Sequence, residues 1–181
     1  MAGYAIILNG PSSAGKSTLA RAIQAKASEQ SDYVLHFTMD AFLGMIPKGV
    51  AITPKNFPNM VTAIADCAAV LLNTDHNLVI DTVFQPDALN RLRGRLQEFN
   101  AVAVGVDAPL AVREEREKNR GDRRIGLTAS QEGTIHGNTR YDLKLDTSGG
   151  TPEEAADQVI AVSQASRSIP RPQPGSPSPF N

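Results

Sequence analysis

The stretch Gly10-Pro11-Ser12-Ser13-Ala14-Gly15-Lys16-Ser17 follows the spacing G-x-x-x-x-G-K-S. These residue types suit the holding of a polyphosphate. Gly10 and Gly15 allow dihedrals that turn successive backbone N–H groups inward, and the small Ser12, Ser13 and Ala14 leave room for phosphate oxygens. The stretch feeds Thr18 and a helix-like run, so the unpaired amides of a helix N-terminus add to the anion site. In this pattern Lys16 reaches the β- and γ-phosphates and the Ser17 hydroxyl binds Mg²⁺. The alternative is a Gly/Ser-rich turn between a strand and a helix.

Three further groups have chemistry to offer. Asp81 closes the apolar run Leu-Val-Ile-Asp and reads either as a partner of Mg²⁺ or its bound water, or as a turn cap. Asp40 ends a second strand-like run. It is the best placed carboxylate to orient an acceptor hydroxyl and take its proton, or else the N-cap of a short helix from Ala41. Arg113, Arg116 and Arg120 share a helical face, and Arg123 and Arg124 follow in a Gly-flanked loop. These guanidiniums suit neutralisation of a transferring phosphoryl group, with Arg120 and Arg123 foremost. Interleaved Glu114, Glu115 and Glu117 equally describe a solvated, ion-paired helix, in which Arg113 is a surface residue. His36 reads as structural, and His136 lies near the Arg-rich lid at about 113–137.

The elements that must position these groups alternate. Apolar runs at 4–8, 33–39, 78–84, 101–106 and 141–146 predict strands. Helix patterns at 17–28, 61–72, from Pro86, from Pro109 and from Pro152 separate them, and Thr128 with Gln131 forms a possible capping box. Continuous apolar strands alternating with helices predict an α/β fold whose parallel sheet is covered on both faces. Ligands of such sheets bind beyond the carboxyl ends of the strands, where the residues above fall. Residues 41–60 read as irregular yet apolar. Phe42, Met45, Phe57 and Met60, with Phe84, suit an acceptor that has an apolar or aromatic part.

The 181 residues suit one kinase-sized domain over 1–166, with a Pro-rich disordered tail at 167–181. A net charge of −1 gives no footprint for nucleic acid, and a polynucleotide kinase would need a basic channel. The lone Cys67 reads as a small buried core residue. No apolar run is long enough for a membrane span, and the N-terminus enters directly into a strand pattern. A cytoplasmic protein without a signal peptide is therefore expected.

The segments IILNGPSSAGKST, MDAF, VIDTVF, VGVDAPLAVREEREKNRGDRRIG and IHGNTRYDLKLDTS resemble the chloramphenicol phosphotransferase-like family of P-loop kinases over about residues 4–148. The resemblance implies a P-loop NTPase fold similar to nucleoside-monophosphate and shikimate kinases, a five-stranded parallel sheet of order 2-3-1-4-5. It implies ATP-dependent phosphorylation of a small-molecule hydroxyl, with an antibiotic such as chloramphenicol or a related compound as the expected acceptor and another small metabolite as the alternative. Carried over by position, Lys16 and Ser17 hold ATP and Mg²⁺, Asp40 is the general base, and Arg120 and Arg123 are lid arginines; the charged stretch itself adds Arg116 and Arg124 as candidate nucleotide contacts. The competing class is a nucleotide-binding switch or ATPase without an acceptor. A GTPase switch would carry Asn-Lys-x-Asp after a late strand, and the sequence around Asp107 and Asp146 lacks it.

Overall fold

The computed structural model describes residues 2–120 and 126–168, with only the backbone of Arg120. The elements in order are β1 (Tyr4–Asn9), α1 (Lys16–Glu29), β2 (Val34–Thr38), α2 (Met39–Leu43), α3 (Phe57–Asn73), β3 (Asn77–Thr82), α4 (Pro86–Arg95), β4 (Asn100–Asp107), α5 (Leu110–Arg120), α6 (Leu127–Ser130), β5 (Leu143–Asp146) and α7 (Pro152–Arg167). The five strands form one parallel sheet in the order β2-β3-β1-β4-β5.

Every residue of β1 is buried because the strand is central and covered on both faces. Its alternate side chains divide between two cores. Tyr4, Ile6 and Leu8 pack with Leu19 and Ile23 of α1 and Val159 of α7. Ala5 and Ile7 pack with Ile64 and Leu72 of α3 and Leu89 and Leu92 of α4. Each such fully buried aliphatic side chain contributes roughly 1.5–3 kcal/mol, so the two cores fix the strand order between them.

The register brings the functional ends of the strands level. Leu8 of β1 lies beside Asp81 of β3, Asn9 beside Thr82, and Thr38 of β2 beside Asp81. Asn9, with no exposed surface, ties these ends together. Its amide nitrogen donates to the Phe84 carbonyl and the Tyr141 hydroxyl, each at 2.9 Å. Its oxygen accepts from the Phe84 N–H at 2.7 Å and the Thr82 hydroxyl at 3.0 Å. A buried amide with all its groups paired costs little and holds one arrangement.

Several expectations need correction. The second strand stops at Thr38, and Asp40 lies in the first turn of α2 rather than on a strand. The Thr38 hydroxyl accepts from the Asp40 N–H at 3.2 Å, so Thr38 caps this helix and Asp40 does not. Residues 41–60 are not wholly irregular, since α2 runs to Leu43 and α3 starts at Phe57. Thr128 and Gln131 form no capping box: α6 begins after Gly126 at φ 92° with no side-chain cap. Cys67 is exposed, because the buried stripe of α3 runs through Val61, Ile64, Ala65, Ala68 and Leu72 and leaves position 67 outside it. The capping box at Thr151 and Glu154 is present, and α7 extends to Arg167. The rest of the proposed tail, residues 169–181, lies outside the described residues. No helix among the described residues is long and apolar enough to cross a membrane.

Candidate active site

The phosphate loop joins β1 to α1. Gly10 begins it because nothing larger fits: a Cβ there would stand 1.9 Å from the Val106 carbonyl oxygen. Ser13 at φ 61° and Gly15 at φ 86° both take the left-handed conformation that folds the backbone into a cradle. Lys16 is 6% exposed. Its ammonium donates to the Pro11 carbonyl at 2.8 Å, across the loop. An ammonium carries three donors, so this bond is compatible with a phosphate contact.

At the start of α1 the Ser17 hydroxyl donates to Asp81 Oδ2 at 2.7 Å. His36 Nε2 lies 3.6 Å from the same oxygen. Burial works to raise the Asp81 pKa, but the His36 contact, the Lys16 charge and the Ser17 hydroxyl outweigh it and hold the carboxyl below its ordinary value. Asp81 is therefore an anion at neutral pH. A hydroxyl next to a hard carboxylate fits Mg²⁺, which takes few protein ligands and keeps water and phosphate oxygens for the rest of its shell.

Asp40 lines the same small cavity, about 50 Å³, as Ser13, Gly15, Lys16, Ser17 and Asp81. A carboxylate from the β2–α2 junction thus faces the lysine and hydroxyl of the phosphate loop across one space. A larger cavity of about 490 Å³ adjoins it, lined by Gly15, Thr18, Arg116, Asn119, Thr147 and Gly149 among others. Its size and its border with the loop fit a nucleoside whose phosphates enter the cradle.

The arginines divide. Arg116 donates to the Thr147 carbonyl at 2.7 Å, the Thr147 hydroxyl at 3.0 Å and the Ser13 carbonyl at 3.4 Å. Arg113, expected on the surface, is 2% exposed. It pairs with Glu132 and with Asp107, the latter at 3.2 Å, and donates to the Ala108 carbonyl at 2.7 Å. One side of α5, with Arg113 and Glu117, is thus a polar core, while Glu115 and Lys118 stay exposed. The Arg120 side chain, Arg123 and Arg124 lie outside the described residues.

Sequence reasoning missed the connections between α5, α6 and the loop. Glu117, 2% exposed, accepts from the N–H groups of Gly126 at 2.8 Å and Thr128 at 2.9 Å. Those amides hold its carboxyl below the ordinary value, the Thr128 bond most of all. Gln131 Oε1 accepts from the Ser12 N–H at 2.7 Å. His136 Nδ1 is 3.0 Å from the Tyr141 hydroxyl, and its Nε2 is 3.5 Å from Asp107. Burial first, opposed by Asp107 and aided by Lys144, Arg113 and Lys16, lowers the His136 pKa and keeps the ring neutral.

The apolar acceptor set is only partly brought together. Phe42 packs edge-on to Phe37 with ring centroids 5.5 Å apart, and Phe57 packs edge-on to Phe84 at 6.1 Å. Phe84 has no exposed surface, so it supports Phe57 from the core and does not line a pocket. Met60 is half-buried against the same core, and Met45 is 74% exposed.

Comparison with known proteins adds four relationships. The family model described as chloramphenicol phosphotransferase-like protein matches residues 3–164. A probable adenylyl-sulfate kinase of Pyrococcus abyssi (strain GE5 / Orsay) is 31% identical over 171 residues, covering 88% of this chain and 94% of that protein. Among solved structures, the Mycobacterium tuberculosis APS kinase in complex with AMPPNP and APS superposes with a TM-score of 0.71 at 18% identity, over 90% of this chain and 98% of that one. The Deinococcus radiodurans tunicamycin resistance protein superposes with a TM-score of 0.64 at 20% identity, over 88% and 94%. At these identities the two structures speak for the fold alone.

Proposed function

The chain belongs to the chloramphenicol phosphotransferase-like family of P-loop kinases, and from that premise we propose that it transfers the γ-phosphoryl group of ATP to a hydroxyl of a small molecule. The observation that carries this reading is the shared cavity of Asp40, Lys16, Ser17 and Asp81. A carboxylate opposite the phosphate lysine is where a kinase needs a group to orient an acceptor hydroxyl; an ATPase would turn it on water, and acceptor-dependent ATP consumption separates the two.

In this reading the cradle from Gly10 to Thr18 binds the triphosphate, with Lys16 on the β- and γ-phosphates. Ser17 and Asp81 would hold Mg²⁺, directly or through water, and the ion when bound neutralises phosphate charge. Asp40 orients the acceptor hydroxyl and takes its proton as the new P–O bond forms and the bond to the β-phosphate oxygen breaks. The loose transition state asks more of position than of basicity. Arg120, Arg123 and Arg124 remain proposed lid groups.

The proposed acceptor has an apolar part and meets Phe42, Met45, Phe57 and Met60. An antibiotic such as chloramphenicol or a related compound fits that requirement. A second reading, adenylyl sulfate as acceptor, is favoured by the archaeal relative. Against it, residues 41–60 offer only Lys48 and Lys55 as cations and no arginine, a poor match for a sulfated nucleotide. The test is ATP consumption across a panel of hydroxylated antibiotics, sugar acids and adenylyl sulfate, with mass analysis of products. A gain of one phosphoryl group on one acceptor is expected. Slow, acceptor-independent hydrolysis with guanine preference would favour the switch instead.

A further inference from the structure

Four consecutive carbonyls of the phosphate loop are each held by a different side chain, one from within the loop and three from beyond it. Lys16 Nζ donates to Pro11 O at 2.8 Å, Thr128 Oγ1 to Ser12 O at 3.4 Å, Arg116 Nη1 to Ser13 O at 3.4 Å and Thr147 Oγ1 to Ala14 O at 2.9 Å. The last is the best made of the three that come from beyond the loop, and its polarity is fixed. Thr147 Oγ1 accepts from Arg116 Nη1 at 3.0 Å, and a guanidinium can only donate. The single hydroxyl proton therefore goes to Ala14 O, which is nearer than the Asp107 carbonyl at 3.3 Å.

A trans peptide is planar, with its C=O and the following N–H pointing in opposite directions. Holding Ala14 O toward Thr147 therefore turns the Gly15 N–H away from it, into the loop. Gly15 at φ 86° lies against the same threonine: a Cβ on it would stand 3.2 Å from Thr147 Oγ1. Thr147 is itself fixed at the end of β5, where its N–H donates to the Asp107 carbonyl at 2.8 Å and its own carbonyl receives Arg116 Nη2 at 2.7 Å. It also lines the cavity of about 490 Å³.

We infer that Thr147 is a positioning residue for phosphate: its hydroxyl, polarised by Arg116, locks the Ala14–Gly15 peptide so that the Gly15 amide is aimed at the anion before the anion arrives. The inference rests on the kinase reading and deepens it. It separates two duties at one residue, a wall for the nucleoside and a brace for the phosphates. Removing the hydroxyl must affect the second and spare the first.

The experiment measures binding of adenosine, ADP and a non-hydrolysable ATP analogue to wild-type protein and to Thr147→Val and Thr147→Ser, by calorimetry or by competition where affinity is low. Valine keeps the branched shape and loses the donor; serine keeps the donor and loses a methyl. ADP and the triphosphate analogue should bind Thr147→Val about tenfold more weakly, the worth of one well-aligned hydrogen bond, while adenosine affinity stays within about twofold. Thr147→Ser should return phosphate-dependent affinity to within about threefold of wild type. Equal loss of adenosine and ADP affinity, unchanged ADP affinity, or failure of serine to restore it would each overturn the assignment while leaving the kinase reading intact. Wild-type protein that binds neither ADP nor the analogue would overturn both.

Discussion

Ser17 and Asp81 meet across the gap between α1 and β3, the serine hydroxyl donating to the carboxylate at 2.7 Å. This contact joins the residue that closes the phosphate loop to the strand beside β1. If the pair holds Mg²⁺, Asp81→Asn keeps an acceptor for Ser17 and loses the charge. The expected result is about a tenfold or greater rise in the Mg²⁺ concentration for half-maximal rate, partly overcome by excess metal. An unchanged magnesium titration would remove Asp81 from the metal's surroundings.

Lys16→Ala should abolish transfer, because the phosphates lose their main cation and the loop loses the bond to Pro11. ATP binding and turnover should both fall. Full turnover by this variant would show that the phosphates lie elsewhere.

Asp40→Asn should act on turnover alone. Loss of a positioned base costs on the order of 10²–10⁴ in rate. Asp40 is exposed at the cavity mouth, so ATP affinity and thermal stability should stay close to wild type. Equal losses in kcat and ATP affinity would contradict a role confined to the acceptor.

Arg113 should matter to the fold and not to the chemistry. Its removal takes the guanidinium from Asp107 and Glu132 and leaves a void where a fully buried side chain stood. Breaking a buried pair costs 3–5 kcal/mol, and the two carboxylates are each about half exposed, which brings the expectation for Arg113→Ala down to about 3 kcal/mol. For a chain of this length that is roughly 6–12 °C in Tm. Differential scanning calorimetry reads it directly, and a Tm within 2 °C of wild type would refute the buried pairing.

Stability should fall in two separate pH windows. His136 is neutral in the fold with its pKa lowered chiefly by burial, so below the ordinary imidazole value of about 6.5 the unfolded chain takes up a proton that the folded chain refuses. Stability therefore declines as pH drops from about 6.5, and His136→Gln should flatten that limb. Glu117 and Asp81 have the opposite chemistry and the same direction: with folded pKa values below ordinary, their contribution is complete above the unfolded value and is lost as acid protonates them. Urea denaturation from about pH 8 down to about pH 2 resolves the two limbs, the histidine limb below about 6.5 and the carboxylate limb below about 4.5.

The phosphate loop was legible because its chemistry demands a fixed spacing of residue types. The Thr151 cap was legible because a capping box is local. The burial of Arg113 was not, since its charged partners Asp107 and Glu132 lie on either side of α5 in the chain and only the fold unites them. A short helix from Ala41 was among the readings, but its start at Met39 was hidden because the apolar run of β2 continues through Met39 with no break in composition. Thr147 was invisible for a different reason. A hydroxyl that grips a backbone carbonyl leaves no pattern in side-chain types, and the Ala14 that it grips is chemically silent.

Gly10 has room for a hydrogen atom and nothing more, with the Val106 oxygen 1.9 Å from where a methyl would go. The first glycine of the nucleotide cradle is thus also the weld between two neighbouring strands. Gly10→Ala would unseat β4 before any ligand was offered, so a lifeless alanine variant at that position would report a broken scaffold and say nothing about catalysis. Mutational dissection has to begin one turn further on, where the backbone has already left the sheet.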